Sequence, residues 1–359
     1  MARILHIMAS LGEVSAPYNE HVLPLCAERD MAVCSYFNST LKVPVTMKIF
    51  EGKGSLSVFF RSMREAFASD GYDVVHVHST HVGFLFLVFC LFSARARRSP
   101  RVFTVHTSLS NLRLKHIVMF IPIMSFFDAV VFCSESSRNS FPAWICSMAG
   151  GRFRTVCNGV DIDRVNKVLT VVGNKGEDEG GFRIAAVGFS KKSKNVEVLL
   201  RAFKISSGAG GRLLLVGGAP RGESFLECIK ELGLDAGVEL TGSVKREQVF
   251  ELLSTADLFV STSKVEGMPV SVLEAMACGC PVILSDIPPH REIVGDADFI
   301  PLVPPDDIDG FSREIIKVRN MPPFERSRLG DRCRKLVEEK FPLGSMQEGY
   351  DMVYSEVIR

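Results

Sequence analysis

No stretch of the chain is long and apolar enough to cross a bilayer: the longest apolar run, Val82–Phe92, falls well short of the roughly 20 residues required. The opening Arg3-Ile4-Leu5-His6-Ile7-Met8 is too short for the apolar part of a signal peptide and has no cleavage site after it. It reads as a first strand, and a cytoplasmic setting is expected. No Gly-x-Gly-x-x-Gly follows that strand, which argues against a nicotinamide dehydrogenase. The ten cysteines include no Cys-x-x-Cys pair, and Cys278 and Cys280 stand too close for an ordinary zinc half-site, so reduced, buried thiols are expected. No Asp-x-Asp ends a strand; Asp161-Ile162-Asp163 has the spacing but follows the Asn158-Gly159 turn. A net charge of +1 makes no case for nucleic acid. There is no short internal repeat and no low-complexity segment.

Alternation is what the sequence does have. At 359 residues the chain exceeds one ordinary core, so two domains are expected. In the first half, apolar strand-length runs at Arg3–Ser10, Met31–Phe37, Asp73–His78, Arg101–His106 and Asp128–Cys133 alternate with helical segments at Tyr18–Arg29, Ser55–Ala68, Gly83–Ala94 and Leu112–Phe127. Residues 173–181 are polar and rich in glycine and read as part of an interdomain linker over 167–181. The pattern restarts with strands at Arg183–Gly188, Arg212–Gly217, Val238–Thr241, Leu258–Ser263, Pro281–Ser285 and Phe299–Val303. Helices are predicted at Val196–Ser206, Glu223–Leu232, Arg246–Ala256, Val270–Ala277, Asp307–Arg319, Ser327–Lys340 and Ser345–Ile358. The expected fold is α/β with two doubly wound, Rossmann-like parallel sheets, over 1–166 and 182–340. A C-terminal helix within 341–359 is expected to pack back on the first domain. Ligands of such sheets bind beyond the strand C-termini, so a cleft between the two is the expected active site.

The most informative stretch is Ala256–Gly295. A strand, Leu258–Ser263, runs into Glu266-Gly267-Met268-Pro269, then into a helix over Val270–Ala277 stopped by Gly279. A helix start offers unpaired N–H groups and partial positive charge, which suits phosphate. Gly267 lets a ligand approach the backbone. Glu266 outside the helix and Glu274 within it can each accept hydrogen bonds from hydroxyls. A diphosphate between two polyols, a nucleotide-sugar, fits that spacing.

This stretch resembles the signature of the retaining GT-B glycosyltransferases of the group 1, or family 4-like, type. That signature has two Glu with seven residues between them, Gly-x-Pro after the first, and Glu-Ala-Met-Ala-x-Gly-x-Pro-Val from the second. The resemblance implies that Glu266 contacts the donor sugar, Glu274 the nucleotide ribose, and the backbone of Gly267, Met268, Pro269 and Val270 the diphosphate. It extends loosely over nearly the whole chain. Gly188-Phe189-Ser190-Lys191-Lys192-Ser193-Lys194 lies where the family carries Gly-Arg-x-x-x-x-Lys. Lys194 matches the phosphate-neutralising lysine, and Gly188 the glycine. Phe189 replaces the arginine and cannot make its forked phosphate contacts; either Lys191 or Lys192 supplies a second charge, or leaving-group stabilisation is weaker. His106, at a strand end, matches a histidine that contacts the sugar from the first domain. Gly12 follows strand one, where the family has paired glycines near the diphosphate. His76 and His78 share one side of their strand, and His78 stands nearer its end, toward an acceptor.

The implied reaction is transfer of a sugar from a UDP- or GDP-linked donor to a hydroxyl of a glycan or lipid-linked glycan, with retention of configuration. Catalytic roles fall to Lys194, Glu266 and His106. Neither a cofactor nor a metal is expected, since lysines and a helix start can carry the charge work. A sugar-nucleotide isomerase or epimerase of the same fold, or a non-catalytic nucleotide-sugar-binding homologue, are the alternatives. Basic residues Arg95, Arg97, Arg98, Arg101, Arg113 and Lys115 flank the apolar segments Val82–Phe92 and Leu112–Phe127. Such a combination suits an anionic lipid surface, here the inner membrane face.

Overall fold

The computed structural model describes residues 2–12, 15–40, 47–172, 181–206, 210–218 and 224–358. The chain divides into two compact units, Met1–Asn158 with Leu343–Arg359, and Gly159–Pro342.

The first unit is built on seven strands: β1 (Ile4–Met8), β2 (Met31–Ser35), β3 (Lys48–Glu51), β4 (Val74–Val77), β5 (Arg101–Val105), β6 (Ala129–Phe132) and β7 (Phe153–Thr155). Their order is β3-β2-β1-β4-β5-β6-β7, and every pair is parallel. An all-parallel sheet is covered on both faces, which is why β1, β2, β4 and β6 are buried throughout. On one face Phe59, Phe86, Phe120 and Phe127 pack with Phe103 of β5. The other face holds Ile4, Val74, Val102 and Val131, covered by Met346, Tyr350, Val353 and Tyr354 of the helix Leu343–Val357. Arg29 pairs with Asp351 through two contacts, one of 2.7 Å, and ties that helix to the turn before β2.

The second unit is built on six strands: β8 (Arg183–Val187), β9 (Arg212–Val216), β10 (Val238–Leu240), β11 (Leu258–Ser261), β12 (Val282–Ser285) and β13 (Leu302–Val303). They run parallel in the order β10-β9-β8-β11-β12-β13. The order in which strands are added reverses between β8 and β11, so the loops after these two strands open side by side. The helix Val270–Ala277 is apolar nearly all round and buried, and the helix Pro323–Lys340 packs against it.

Several sequence expectations need correction. The segment 18–29 is not one α-helix: a π-helix covers Tyr18–Val22 and a 3-10 turn Leu23–Leu25. Pro24 lacks the N–H a continuing helix needs. Strand β3 was not predicted, because Lys48-Ile49-Phe50-Glu51 is a short edge strand without full burial. Residues 167–181 do not form a linker throughout. Ile162–Val172 is one helix of the second unit, with Val165 and Val168 buried, so the boundary falls at Asn158/Gly159 rather than at 166. Residues 173–180 lie outside the described part. At the other end the second unit runs to Pro342, and the helix that joins the first unit starts at Leu343.

Gly330 shows how tightly the second unit is packed around the Val270–Ala277 helix. A Cβ there would sit 2.0 Å from the carbonyl oxygen of Gly279, a backbone atom that ends the helix region. Gly→Ala inside a helix ordinarily stabilises by up to about 1 kcal/mol. Gly330→Ala is expected to do the reverse and cost about 1–3 kcal/mol through overpacking. Urea unfolding measures it, and an unchanged or raised midpoint contradicts the close approach.

Candidate active site

In the second unit the loop after β8 folds over the loop after β11. Gly188 ends β8 with a φ of +76°, a conformation that suits glycine, and a Cβ there would lie 3.8 Å from Lys194 Cε. Asn195 turns the chain at a φ of +53° and donates its side-chain amide to the Pro305 carbonyl at 2.7 Å. Thr262 Oγ1 donates to the carbonyls of Lys194 and Asn195, at 3.1 and 3.0 Å, and Lys264 N donates to Ser193 O at 2.8 Å. These bonds fix the backbone of Lys194, whose Nζ pairs with Glu266 Oε1 at 2.7 Å.

Glu266 sits at the end of a polar chain. Ser263 Oγ donates to Glu266 Oε1 at 2.7 Å, and Ser285 Oγ donates to the Ser263 carbonyl at 2.5 Å. His290 Nδ1 donates to the Ser285 carbonyl at 2.7 Å. Burial pushes the Glu266 carboxyl up, but the Lys194 ammonium and the Ser263 hydroxyl outweigh it and hold the group below its usual range. Burial also lowers His290 to about 4, so its ring is neutral.

Glu274 has the opposite balance. Lying within the Val270–Ala277 helix, it is buried, and burial raises its pKa against the pull of Arg246 and Arg164. Oε1 meets Arg246 Nε at 2.7 Å, while Oε2 is buried without a hydrogen-bond partner among the described residues. The helix itself starts at Val270 after Pro269 with no side-chain cap, and Met268 is buried under it. Val272 N donates to the Pro269 carbonyl at 3.0 Å, and a helix start without a side-chain cap suits an anion.

The structure thus brings together Lys194, Glu266 and Gly188, and puts Gly267, Met268, Pro269 and Val270 at the uncapped helix start that leads to Glu274. Lys191 and Lys192 are exposed. Phe189 is a core residue, buried and 5.5 Å from the Phe225 ring between centroids, so packing occupies the position where the resembled family has arginine. Asp161 is a helix cap whose Oδ1 accepts from Arg164 N at 2.9 Å. Sequence reasoning missed Arg246, Ser263, Ser285 and His290. Ser263 and Ser285 had a signal, since each closes a strand on the edge where ligands bind, whereas Arg246 had none.

Gly12 and His106 belong to the first unit. Gly12 follows β1 beside Thr40, whose Oγ1 would be 3.3 Å from a Cβ. His106 follows β5, partly exposed, and its Nε2 lies 3.2 Å from His78 Nδ1. Burial lowers His106 to about 4.

A family model described as "Glycosyl transferases group 1" matches residues 171–336, and one described as "Glycosyltransferase Family 4" matches residues 22–164. The chain belongs to the group 1 glycosyltransferases of GT-B fold. It is 31% identical over 170 residues to N-acetyl-alpha-D-glucosaminyl L-malate synthase of Bacillus anthracis, covering 47% of this chain and 44% of that one. It is 25% identical to the putative glycosyltransferase EpsD of Bacillus subtilis strain 168, over 85% of this chain and 80% of that one. Among solved structures, Anabaena HepE in complex with UDP and glucose superposes with a TM-score of 0.79 at 18% identity, covering 99% of this chain and 100% of that one. The match thus spans less than half of the malate synthase and most of the other two.

The Arg246–Glu274 pair makes a prediction about stability. Removing one partner of a buried pair leaves an uncompensated charge and costs about 3–5 kcal/mol. Glu274 already has a raised folded-state pKa, and Arg246→Ala raises it further. The stability it keeps is therefore present at acid pH, where the carboxyl is protonated, and is lost as pH rises through the folded value. Urea unfolding of Arg246→Ala at several pH values should show a deficit that widens toward neutrality; a deficit constant with pH contradicts a buried charge at Glu274.

Proposed function

We propose that this glycosyltransferase takes a nucleotide-diphospho-sugar donor and passes its sugar to an acceptor hydroxyl with retention of configuration. The observation that carries the reading is the buried Oε2 of Glu274, without a hydrogen-bond partner among the described residues, within the helix whose start, lacking a side-chain cap, follows the Lys194–Glu266 pair. The ribose hydroxyls go to Glu274, the diphosphate to the backbone of Gly267–Val270 with Gly188 behind it, and the sugar to Glu266. Lys194 neutralises the departing diphosphate, alone or with Lys191 or Lys192 drawn in by the donor. His106 and Gly12 are carried over from the resemblance as sugar- and diphosphate-contacting residues.

Retention fits the acid–base inventory of the second unit. Glu266, ion-paired and held low, is a poor proton acceptor. In front-face attack the leaving phosphate itself takes the acceptor proton, so no further base is required. With Lys194 and a helix start for charge, the transfer needs neither catalytic metal nor cofactor.

Calorimetric titration with UDP, GDP and ADP tests the donor site. One nucleotide should bind, and Glu274→Ala should weaken it by about 1.5–3 kcal/mol, the size of a hydrogen bond to a charged group. Lys194→Ala should lower the transfer rate by about 2.7–4 kcal/mol of transition-state stabilisation, the loss of one preorganised donor. Binding of none of the three, or a Glu274→Ala variant that binds as wild type, overturns the assignment.

The acceptor reading is that of a glycan or lipid-linked glycan reached at an anionic membrane surface. Leu91, Phe92, Leu114, Val118 and Phe126 are between 60% and 80% exposed on two helices that pack together, Thr80–Phe92 and Leu114–Phe126. Arg95, Arg97, Arg98, Arg113 and Lys115 are exposed beside them. Apolar side chains flanked by cations suit insertion among anionic headgroups. No described helix is long and apolar enough to cross a membrane. Sedimentation with vesicles containing phosphatidylserine should carry the protein down at low salt, and Phe92→Glu with Phe126→Glu should release it. Protein left in the supernatant at low salt rejects this surface.

A further inference from the structure

Five of the chain's eight histidines, His6, His21, His76, His78 and His106, gather on one face of the first sheet. The parallel register explains how. His6 of β1 lies level with His76 of β4; His78 stands two residues beyond His76 on the same side of β4, and His106 four residues beyond Val102, the residue of β5 level with His76. His21 comes from the π-helix Tyr18–Val22, a helix form found often at functional sites, and its ring centroid lies 4.8 Å from that of His78 and 5.6 Å from that of His106.

The hydrogen bonds of these rings do not close. His76 is satisfied, with Tyr354 OH and Thr104 Oγ1 each 2.7 Å from one of its nitrogens. His6 Nδ1 and His78 Nε2 are 2.9 Å apart, a normal hydrogen bond, and His78 Nδ1 and His106 Nε2 are 3.2 Å apart. His21 Nε2 is buried with no hydrogen-bond partner among the described residues. A buried imidazole nitrogen left over in this nest can present a lone pair, which a cation satisfies.

We propose that His21, His78 and His106 bind one zinc-like divalent transition-metal ion. One nitrogen from each of the three falls within 4.8 Å of the others. Two imidazole nitrogens on a tetrahedral zinc at about 2.0–2.1 Å are about 3.3 Å apart, close to the separation of His78 Nδ1 and His106 Nε2. With Nδ1 on the ion, His78 carries its proton on Nε2 and donates it to His6 Nδ1, the outer-shell bond that orients a metal-bound histidine. Burial disfavours the charged form of all three rings, which leaves them in the neutral state that ligates. His106 is the partly exposed member and gives the ion its way in. Three protein nitrogens leave a fourth position for water. The ion would also fix the His106 proton on Nδ1, leaving that N–H as a donor. This departs from the expectation of a metal-free chain, and it concerns the first unit, independently of the phosphate chemistry given to Lys194.

The test uses the full chain, stripped with a chelator, then equilibrated with Zn²⁺ and separated from free ion. One zinc per chain is expected by elemental analysis, and Co²⁺ in its place should give the strong visible absorption of a four-coordinate site without thiolate charge-transfer bands. His106→Gln and His21→Gln should each weaken zinc binding by more than about 100-fold, beyond what loss of an outer-shell partner does, while His81→Gln, outside the cluster, should not. The wild-type stoichiometry and Co²⁺ spectrum stand even if a variant fails to fold. Absence of bound zinc, thiolate bands that put the ion on cysteine, or unchanged affinity in folded His106→Gln and His21→Gln each overturn the proposal.

Discussion

Parallel pairing is the constraint on which everything else in this chain rests. Every strand of each sheet runs the same way, so every loop leaving a strand C-terminus emerges on one edge of that sheet. In the second unit this puts the turn after β8, with Gly188 and Lys194, next to the turn after β11, with Ser263 and Glu266, and next to Ser285 at the end of β12. In the first unit the same rule delivers Gly12, His78 and His106 to one edge. Functional side chains far apart in sequence become neighbours because the backbone ladder leaves them no other place.

The two carboxylates illustrate how burial and pairing set opposite states on one short segment. Glu266 has a lysine and a serine hydroxyl aimed at it and stays ionised. Glu274 is buried with an arginine on one oxygen and, among the described residues, no hydrogen-bond partner on the other, and its charged form is disfavoured. The difference follows from position: Glu266 lies in a loop that polar groups can reach, Glu274 on a helix whose neighbours are Val272, Leu273 and Ala275.

Much of this was legible in the sequence. The doubly wound class and the Val270–Ala277 helix follow from strong local signals: apolar runs of strand length, and a glycine and proline at a helix start. The failures have physical causes too. Pro24 broke a helix that hydrophobic spacing alone suggested. A polar glycine-rich run at 173–181 drew the boundary away from Asn158/Gly159, where the chain changes unit without any compositional mark. Arg246 reaches Glu274 from another helix, and His21 joins four other histidines through a π-helix; both are products of tertiary packing with no trace in local spacing.

The placement of the helix Leu343–Val357 bears on how the molecule is made. The first unit is discontinuous: its sheet comes from residues 1–158, but the helix that covers the Ile4, Val74 and Val102 face is synthesised only after the second unit. At about 5–20 residues per second, translation of the intervening second unit takes roughly ten to forty seconds. Through that interval an apolar sheet face stands open on the ribosome, while the second unit, continuous in sequence, has all it needs to fold. The first unit, although its sheet is made first, completes its core only when residues 343–357 have followed the whole of the second unit.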